Sequence, residues 1–306
     1  MIQVTNLSKS YSDIKAVDGV SFFIKRGEVF GLLGPNGAGK STTLHMMSSL
    51  LKSDTGTIQI DGVTLNGDSK KFKQLIGVVP QEISLYEELS AYDNLMFWGN
   101  LYKIPSKELK ERISKTLQLI GLFDRKNDLI KTYSGGMKRR INIAAALLHQ
   151  PKVLLMDEPT VGIDPQSRNH IFEVIEELNK QGMTIIYTTH YMEEVERLCN
   201  SIAIIDSGKI IAQGTQEELQ ELVPAKEIVE LEFNFLSENQ VIQLKEMLSY
   251  QMIQKENKLI IESSVRELSQ IITACNSLDL TIKDIQLQKI NLETIFLNLT
   301  GKQLRD

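Results

Sequence analysis

Hydrophobic and polar positions alternate from the first residues, and MIQVTNLSKSY reads as a strand. A second alternating run, Val17 to Ile24, leads into Lys25-Arg26-Gly27, which reads as a hairpin turn. Thr57 to Ile60 is followed by Asp61-Gly62, a pair favoured in two-residue turns. These segments predict an antiparallel sheet. Between them, Val29, Phe30, Leu32 and Leu33 form an apolar run of strand length, and Thr43 to Leu51 has helical spacing. From Ser90 to about Leu148 the period becomes helical, with Ser90 and Asp93 placed as a capping box ahead of Leu95, Met96 and Trp98. Strand-like runs return at Val153 to Met156, Ile185 to Thr188 and Ile202 to Ile205. Strands alternating with helices predict a parallel sheet, here interrupted by a helical insertion at about 82–148.

Thr215 and Glu218 form a second capping pattern, opening a short helix that ends before Pro224. A domain boundary is expected at Pro224 to Lys226, dividing the chain into 1–224 and 225–306. Beyond it lie a strand (Ile228 to Phe235), a helix (Glu238 to Leu248), two strands about Glu256-Asn257-Lys258, a helix (Val265 to Leu278) and a strand (Thr281 to Gln288). That order is β-α-β-β-α-β, the split ferredoxin-like pattern, with one further helix from Asn291. Leu292, Ile295, Phe296 and Leu299 give this helix one apolar stripe, which would pack onto its own domain or onto a partner.

Composition agrees with two domains: 306 residues exceed one compact unit, and 42% apolar residues are enough to build real cores. The net charge of −5 is modest and Lys and Arg are dispersed, so no basic stripe points to nucleic acid. Cys199 and Cys275 lie in different halves without metal spacing and read as reduced thiols of a cytosolic protein. The N-terminus lacks the apolar core of a signal peptide. The longest apolar stretch, Ile141 to Leu148, is too short to span a bilayer, so the chain is not expected to cross a membrane by itself.

Candidate chemistry begins with GPNGAGKST at Gly34 to Thr42, between the apolar strand and the helix. Gly34, Gly37 and Gly39 permit backbone angles and close approaches that a Cβ blocks, so successive N–H groups can face a polyphosphate at the positive end of a helix. Asn36 and Thr42 belong to the same cradle; Lys40 would reach the β- and γ-phosphates and Ser41 would offer its hydroxyl to Mg²⁺. Val153 to Met156 end in Asp157 and Glu158, as a buried strand would deliver two carboxylates to a sheet edge. Asp157 could then hold Mg²⁺ opposite Ser41, while Glu158 acts as general base toward water. Tyr133-Ser134-Gly135-Gly136-Met137 precedes a helix, and a serine cap with two glycines suits a phosphate.

With these residues in place, the chain resembles the nucleotide-binding subunit of an ABC transporter. Gly34 to Thr42 matches the family's Walker A loop, Val153 to Glu158 its Walker B strand, and Ser134 to Gly136 its signature, with Tyr133 and Met137 in place of the commoner Leu and Gln. Gln81, within Val78-Val79-Pro80-Gln81, matches the Q-loop and a second Mg²⁺-facing group; Gly162-Ile163-Asp164 matches the D-loop and His190 the switch histidine. Tyr11 matches the adenine-stacking aromatic, although a surface aromatic in a turn is the rival reading. The catalytic set would be Lys40, Glu158 and His190, with His45, His149 and His170 as ordinary surface or helix residues. Asp164-Pro165 also reads as a helix start.

The resemblance implies a P-loop ATPase core with an antiparallel subdomain and a helical subdomain, binding ATP with Mg²⁺. One subunit's signature would cover ATP held by another, so a homodimer or heterodimer of such chains is implied. Integral membrane permease subunits would be separate partners, placing the chain peripherally on the cytoplasmic face of the membrane. Ile83 to Tyr102, with Tyr86, Phe97 and Trp98, resembles the region that grips a membrane partner, while helical core is the other reading of Trp98. The tail, Asn291 to Asp306, resembles bacterial exporters of the daunorubicin-resistance type, implying export of a drug, antibiotic or lipid-like molecule. An ABC ATPase of translation or of chromosomes would instead carry two cassettes or long coiled coils, and neither feature is present. A regulator that binds ATP without hydrolysing it is disfavoured by intact Lys40, Asp157, Glu158 and His190.

Overall fold

The computed structural model describes residues 1–65, 69–223, 227–263, 267–288 and 291–300. It divides into two compact units, Met1–Leu219 and Gln220–Gly301. The boundary expected at 224–226 lies outside the described residues.

In the first unit, β1 (Ile2–Tyr11) and β2 (Ile14–Ile24) form an antiparallel hairpin. Ile2, Val4 and Leu7 of β1, with Val17, Val20, Phe22 and Ile24 of β2, are buried as the alternation requires. Lys25-Arg26-Gly27 is not a hairpin turn. It carries the chain out of this sheet into β3 (Val29–Leu33), a strand of the central sheet. Hydrophobic period identifies a strand but not its sheet, which is why the turn misled. The phosphate-loop candidate follows β3 and feeds α1 (Lys40–Met47). This helix starts at Lys40 and stops short of Leu51, because Ser48 caps it and Ser49 turns to a left-handed φ of 61°. Next come β4 (Thr55–Ile60) and β5 (Val63–Thr64), whose Ile60↔Val63 pairing makes Asp61-Gly62 the expected two-residue turn. The four strands lie in the order β2-β1-β4-β5.

After α2 (Ser69–Gln74), the short strand β6 (Ile76–Val79) joins the central sheet. The helical insertion follows as α3 (Ala91–Leu101), α4 (Ser106–Leu119) and α5 (Gly135–Leu147), sharing a core that includes Leu95, Leu109, Ile113, Leu117 and Ile141. Ser90 caps α3 by accepting from the Asp93 N–H, a contact that contributes about 1 kcal/mol. Then β7 (Val153–Asp157), α6 (Pro165–Lys180), β8 (Thr184–Thr189), α7 (Met192–Leu198), β9 (Ser201–Asp206), β10 (Lys209–Gly214) and α8 (Gln216–Glu221) complete the run. Thr215 and Glu218 make both capping-box bonds at the start of α8. The central sheet has the order β10-β9-β3-β8-β7-β6, parallel except for β10, which folds back on β9. β3, β7 and β8 are buried along their whole length, as strands covered on both faces must be. Their carboxyl ends therefore share one edge, where ligands of such sheets bind.

The second unit contains β11 (Ile228–Phe233), α9 (Glu238–Met247), β12 (Gln251–Lys255), β13 (Lys258–Glu262), α10 (Leu268–Ser277), β14 (Ile282–Gln288) and α11 (Leu292–Thr300). Its sheet, β12-β13-β11-β14, is antiparallel throughout, which is the split β-α-β arrangement. Val229, Leu231, Phe233, Leu244, Ile261 and Ile271 belong to its core. On α11, Leu292, Ile295 and Phe296 are covered within the chain. Among the described residues, no helix is long and apolar enough to cross a membrane.

Candidate functional site

Four parallel strands, β3, β6, β7 and β8, deliver the candidate groups to one edge. Following β3, the loop from Gly34 reaches α1, whose N-cap is Gly39 at φ 106°, with no side chain to cap the first turn. A Cβ on Gly39 would stand 2.4 Å from the Ala16 carbonyl oxygen, so only glycine fits. The first-turn N–H groups of α1 thus have neither an intrahelical nor a side-chain acceptor, which is the arrangement that binds anions. A cavity of about 290 Å³ opens here, lined by Ala16, Asn36, Gly37, Gly39, Lys40, Ser41, Thr42, Gln81 and Glu158.

Lys40 is 4% exposed; its Nζ donates to the carbonyls of Gly34 (2.8 Å) and Pro35 (3.1 Å) and lies 3.0 Å from Glu158 Oε1. Glu158 also accepts from Gln81 Nε2 at 3.3 Å and meets His190 Nδ1 at 3.4 Å. One carboxylate therefore touches the lysine that opens α1, the glutamine that follows β6 and the histidine that follows β8. The Glu158 backbone sits at φ 43°, a left-handed conformation costing a non-glycine residue about 1–3 kcal/mol. Thr188 holds it there, accepting the Glu158 N–H on its hydroxyl (3.0 Å) and on its carbonyl (3.2 Å).

Asp157 ends β7, and its Oδ1 accepts from Ser41 Oγ at 3.0 Å and Thr188 Oγ1 at 2.8 Å. A hydroxyl and a carboxylate brought this close match the oxygen ligands a hard cation such as Mg²⁺ prefers. His45 is the exposed helix residue expected, on α1 one turn beyond Ser41, with its Nε2 3.9 Å from Asp157 Oδ2. His149 is more than a surface residue, since its ring stacks on Tyr102 and its Nε2 meets the Ile76 carbonyl at 2.8 Å. Burial pushes its pKa below the ordinary histidine value. His170 is exposed on α6.

Tyr11, Ser134, Gly135 and Gly136 are not among the residues lining this cavity. Tyr11 ends β1, 49% exposed, with Lys9 Nζ above its ring. Ser134 caps α5 through the Met137 N–H, and the two glycines pack beside the Asp164 segment: Gly135 next to Ile163, and Gly136 where a Cβ would be 2.2 Å from Ser167 Cβ. Asp164 caps α6 through the Ser167 N–H at 2.9 Å, with Pro165 in the first turn. Sequence reasoning missed two residues that tie α5 to the Gln81 loop. Arg139, 3% exposed, donates to the carbonyls of Pro80 and Gln81, and Asn142 donates to that of Glu82. In sequence, Lys138-Arg139-Arg140 looks like a solvated charge run, and only the helical phase turns Arg139 inward.

Residues 17–161 match the ABC transporter family. Over the whole of both chains, the protein is 47% identical to the linearmycin resistance ATP-binding protein LnrL of Bacillus subtilis (strain 168). It is 36% identical to the Nod factor export ATP-binding protein I of Ralstonia nicotianae, covering 100% of this chain and 95% of that one. To the daunorubicin/doxorubicin resistance ATP-binding protein DrrA of Streptomyces peucetius it is 40% identical over 72% of this chain and 66% of that one. Among solved structures, an ATP-binding subunit of an ABC transporter superposes with a TM-score of 0.66 at 30% identity, covering 72% and 92% of the two chains. A dimeric, post-hydrolysis ATP-binding cassette bound to ADP and Pi superposes with a TM-score of 0.63 at 27% identity, covering 70% and 98%.

Proposed function

The chain belongs to the ATP-binding subunits of ABC transporters, and from that premise we propose that it hydrolyses ATP to drive export of a drug, antibiotic or lipid-like molecule through separate membrane-spanning subunits. Relatives named for linearmycin resistance, daunorubicin resistance and Nod factor export support an exporter ATPase. The observation that carries the hydrolytic part is Glu158, buried and within reach of Lys40, Gln81 and His190 at once.

The chemistry follows from these contacts. Gly37, Gly39 and the first turn of α1 would hold the phosphates on backbone N–H groups, and Lys40 would neutralise their charge. Glu158 would orient a water and take its proton as that water attacks the γ-phosphorus; His190 would steady the γ-phosphate oxygens. Ser41 and Asp157, with Gln81 nearby, would hold Mg²⁺, which supplies charge neutralisation at the phosphates when bound. Tyr11 would stack on the adenine ring. Because Ser134, Gly135 and Gly136 lie away from the cavity and beside the Asp164 segment, they suit the nucleotide of a second chain. The site would then be completed by dimerisation, with itself or a close relative. We assign 1–224 to this ATPase domain and 225–306 to an accessory α+β domain.

The membrane partner has a candidate seat on the helical insertion. A groove of about 350 Å³ is lined by Leu50, Val78, Pro80, Trp98, Tyr102 and Ala145, among others. Exposed Tyr86 and Phe97 adjoin it, Phe97 packing edge-on against both Tyr86 (4.9 Å between ring centres) and Trp98 (5.5 Å). Trp98 packs on the helical core, as one of its two sequence readings has it, and it also lines the groove that would serve the other. Through such a seat the chain would sit on the cytoplasmic face of the membrane. Affinity purification from native membranes should recover an integral membrane protein, and a Trp98→Asp, Phe97→Asp variant should recover much less of it. Recovery of ribosomes or DNA in its place would favour the translation- or chromosome-associated class.

A further inference from the structure

Three hydroxyl groups converge on a buried carboxylate that the site described above does not use. Glu194, in the first turn of α7, is 1% exposed. It accepts from Thr160 Oγ1 at 2.7 Å, from Tyr187 Oη at 2.8 Å and from Thr189 Oγ1 at 2.8 Å. Arg168 Nε lies 4.0 Å away. Burying a carboxylate costs several kcal/mol unless donors meet it, and here the donors are supplied from different segments. Burial, and then Glu194 itself, hold the Tyr187 phenol well above its ordinary pKa, so it stays a donor.

The identity of those donors gives Glu194 its meaning. Thr160 lies just beyond Glu158 on the segment that runs to Asp164, and Arg168 follows Asp164 on α6. Thr189 immediately precedes His190, and its hydroxyl also accepts the Tyr191 N–H at 2.9 Å, closing the turn that carries the histidine. Tyr187 lies in the same strand and comes within 3.4 Å of Thr160 Oγ1. A single carboxylate thus spans the two chain segments whose tips, Glu158 and His190, meet at 3.4 Å. Glu194 itself does not line the nucleotide cavity.

We infer that Glu194 is a positioning residue that locks the His190 turn to the Glu158–Asp164 segment, so that histidine and base act as one unit. The inference rests on the proposed roles of Glu158 and His190. Glutamine at this position keeps the size of the side chain but puts an NH₂ donor where one acceptor oxygen stood, so the hydroxyls facing that atom must turn from donating to accepting. A purely structural role would lower stability without singling out the histidine.

The test is steady-state ATP hydrolysis by the full chain carrying Glu194→Gln, alone and combined with His190→Ala. We expect kcat to fall at least about tenfold with KM for ATP within about twofold, the pattern of an interaction needed only in the transition state. On the His190→Ala background the same substitution should cost less than about twofold, because residues acting through one another are not additive. Thr189→Val, which removes one donor from Glu194, should reproduce both results and stands in if Glu194→Gln does not fold. Unchanged kcat, or a loss that multiplies in full on the His190→Ala background, overturns the inference. If Glu158→Gln and His190→Ala themselves leave turnover intact, the reading of the whole site falls and this inference falls with it.

Discussion

Replacing Glu158 by glutamine is expected to lower kcat for ATP hydrolysis by about 10²- to 10⁴-fold, the range supplied by a positioned general base, while ATP binding persists. The glutamine has the same shape, and the backbone that presents it is held by Thr188 rather than by the carboxylate. Its one oxygen can still meet Lys40, which contacts Oε1, whereas the Gln81 amide, which contacts Oε2, must turn its own oxygen toward the new NH₂. What is lost is the capacity to take a proton. Single-turnover hydrolysis beside equilibrium ATP binding separates the two effects. Turnover above about a tenth of wild type would remove Glu158 from the base role.

Lys40→Ala is expected to act on the other half of the reaction, weakening ATP binding by about tenfold to a hundredfold. That estimate takes one lost charge-assisted contact at about 1.5–3 kcal/mol and converts it at about 1.4 kcal/mol per decade. The nucleotide-free protein should also become less stable. Lys40 and Glu158 are 4% and 7% exposed at their side chains, and removing one member of a buried pair leaves the other uncompensated. The adjoining cavity admits water to the surviving carboxylate, which places the loss toward the low end of the usual 3–5 kcal/mol. Titration with a fluorescent ATP analogue, together with thermal unfolding without nucleotide, reads both effects. Unchanged nucleotide affinity would end the phosphate-loop assignment.

Much of this site is written locally. The string Gly34 to Thr42 after an apolar strand, and Asp157-Glu158 at the end of another, are legible because strand ends and glycine turns are short-range features. Less legible is anything that depends on which face or which sheet a segment joins. β6 is a short strand containing Gly77 and lies in line with Gln81, yet its pairing with β7 comes from across the chain. Lys25-Arg26-Gly27 has the composition of a hairpin turn but connects two sheets. Arg139 and Glu194 sit in charged helical stretches, where burial is the exception and tertiary packing alone decides it. His45, read as a surface or helix residue, is an exposed residue of α1 whose approach to Asp157 (3.9 Å) exists only once β7 is laid into the sheet.

The place of β3 in the central sheet also governs when the protein can work during its synthesis. This strand, with the loop it feeds, is laid down early, but its two neighbours are β8 and β9. Even the residue that opens the path to β3 is held from afar: the Gly27 N–H donates to Thr184 Oγ1, 157 positions downstream. Contacts of such separation form late, since loop-closure entropy must be met before they yield any stabilisation. A growing chain on the ribosome therefore carries the whole GPNGAGKST string long before the strand beneath it is supported. Nucleotide-binding competence is expected only once Ser201–Asp206 has emerged, and shorter nascent chains should hold the motif without the site.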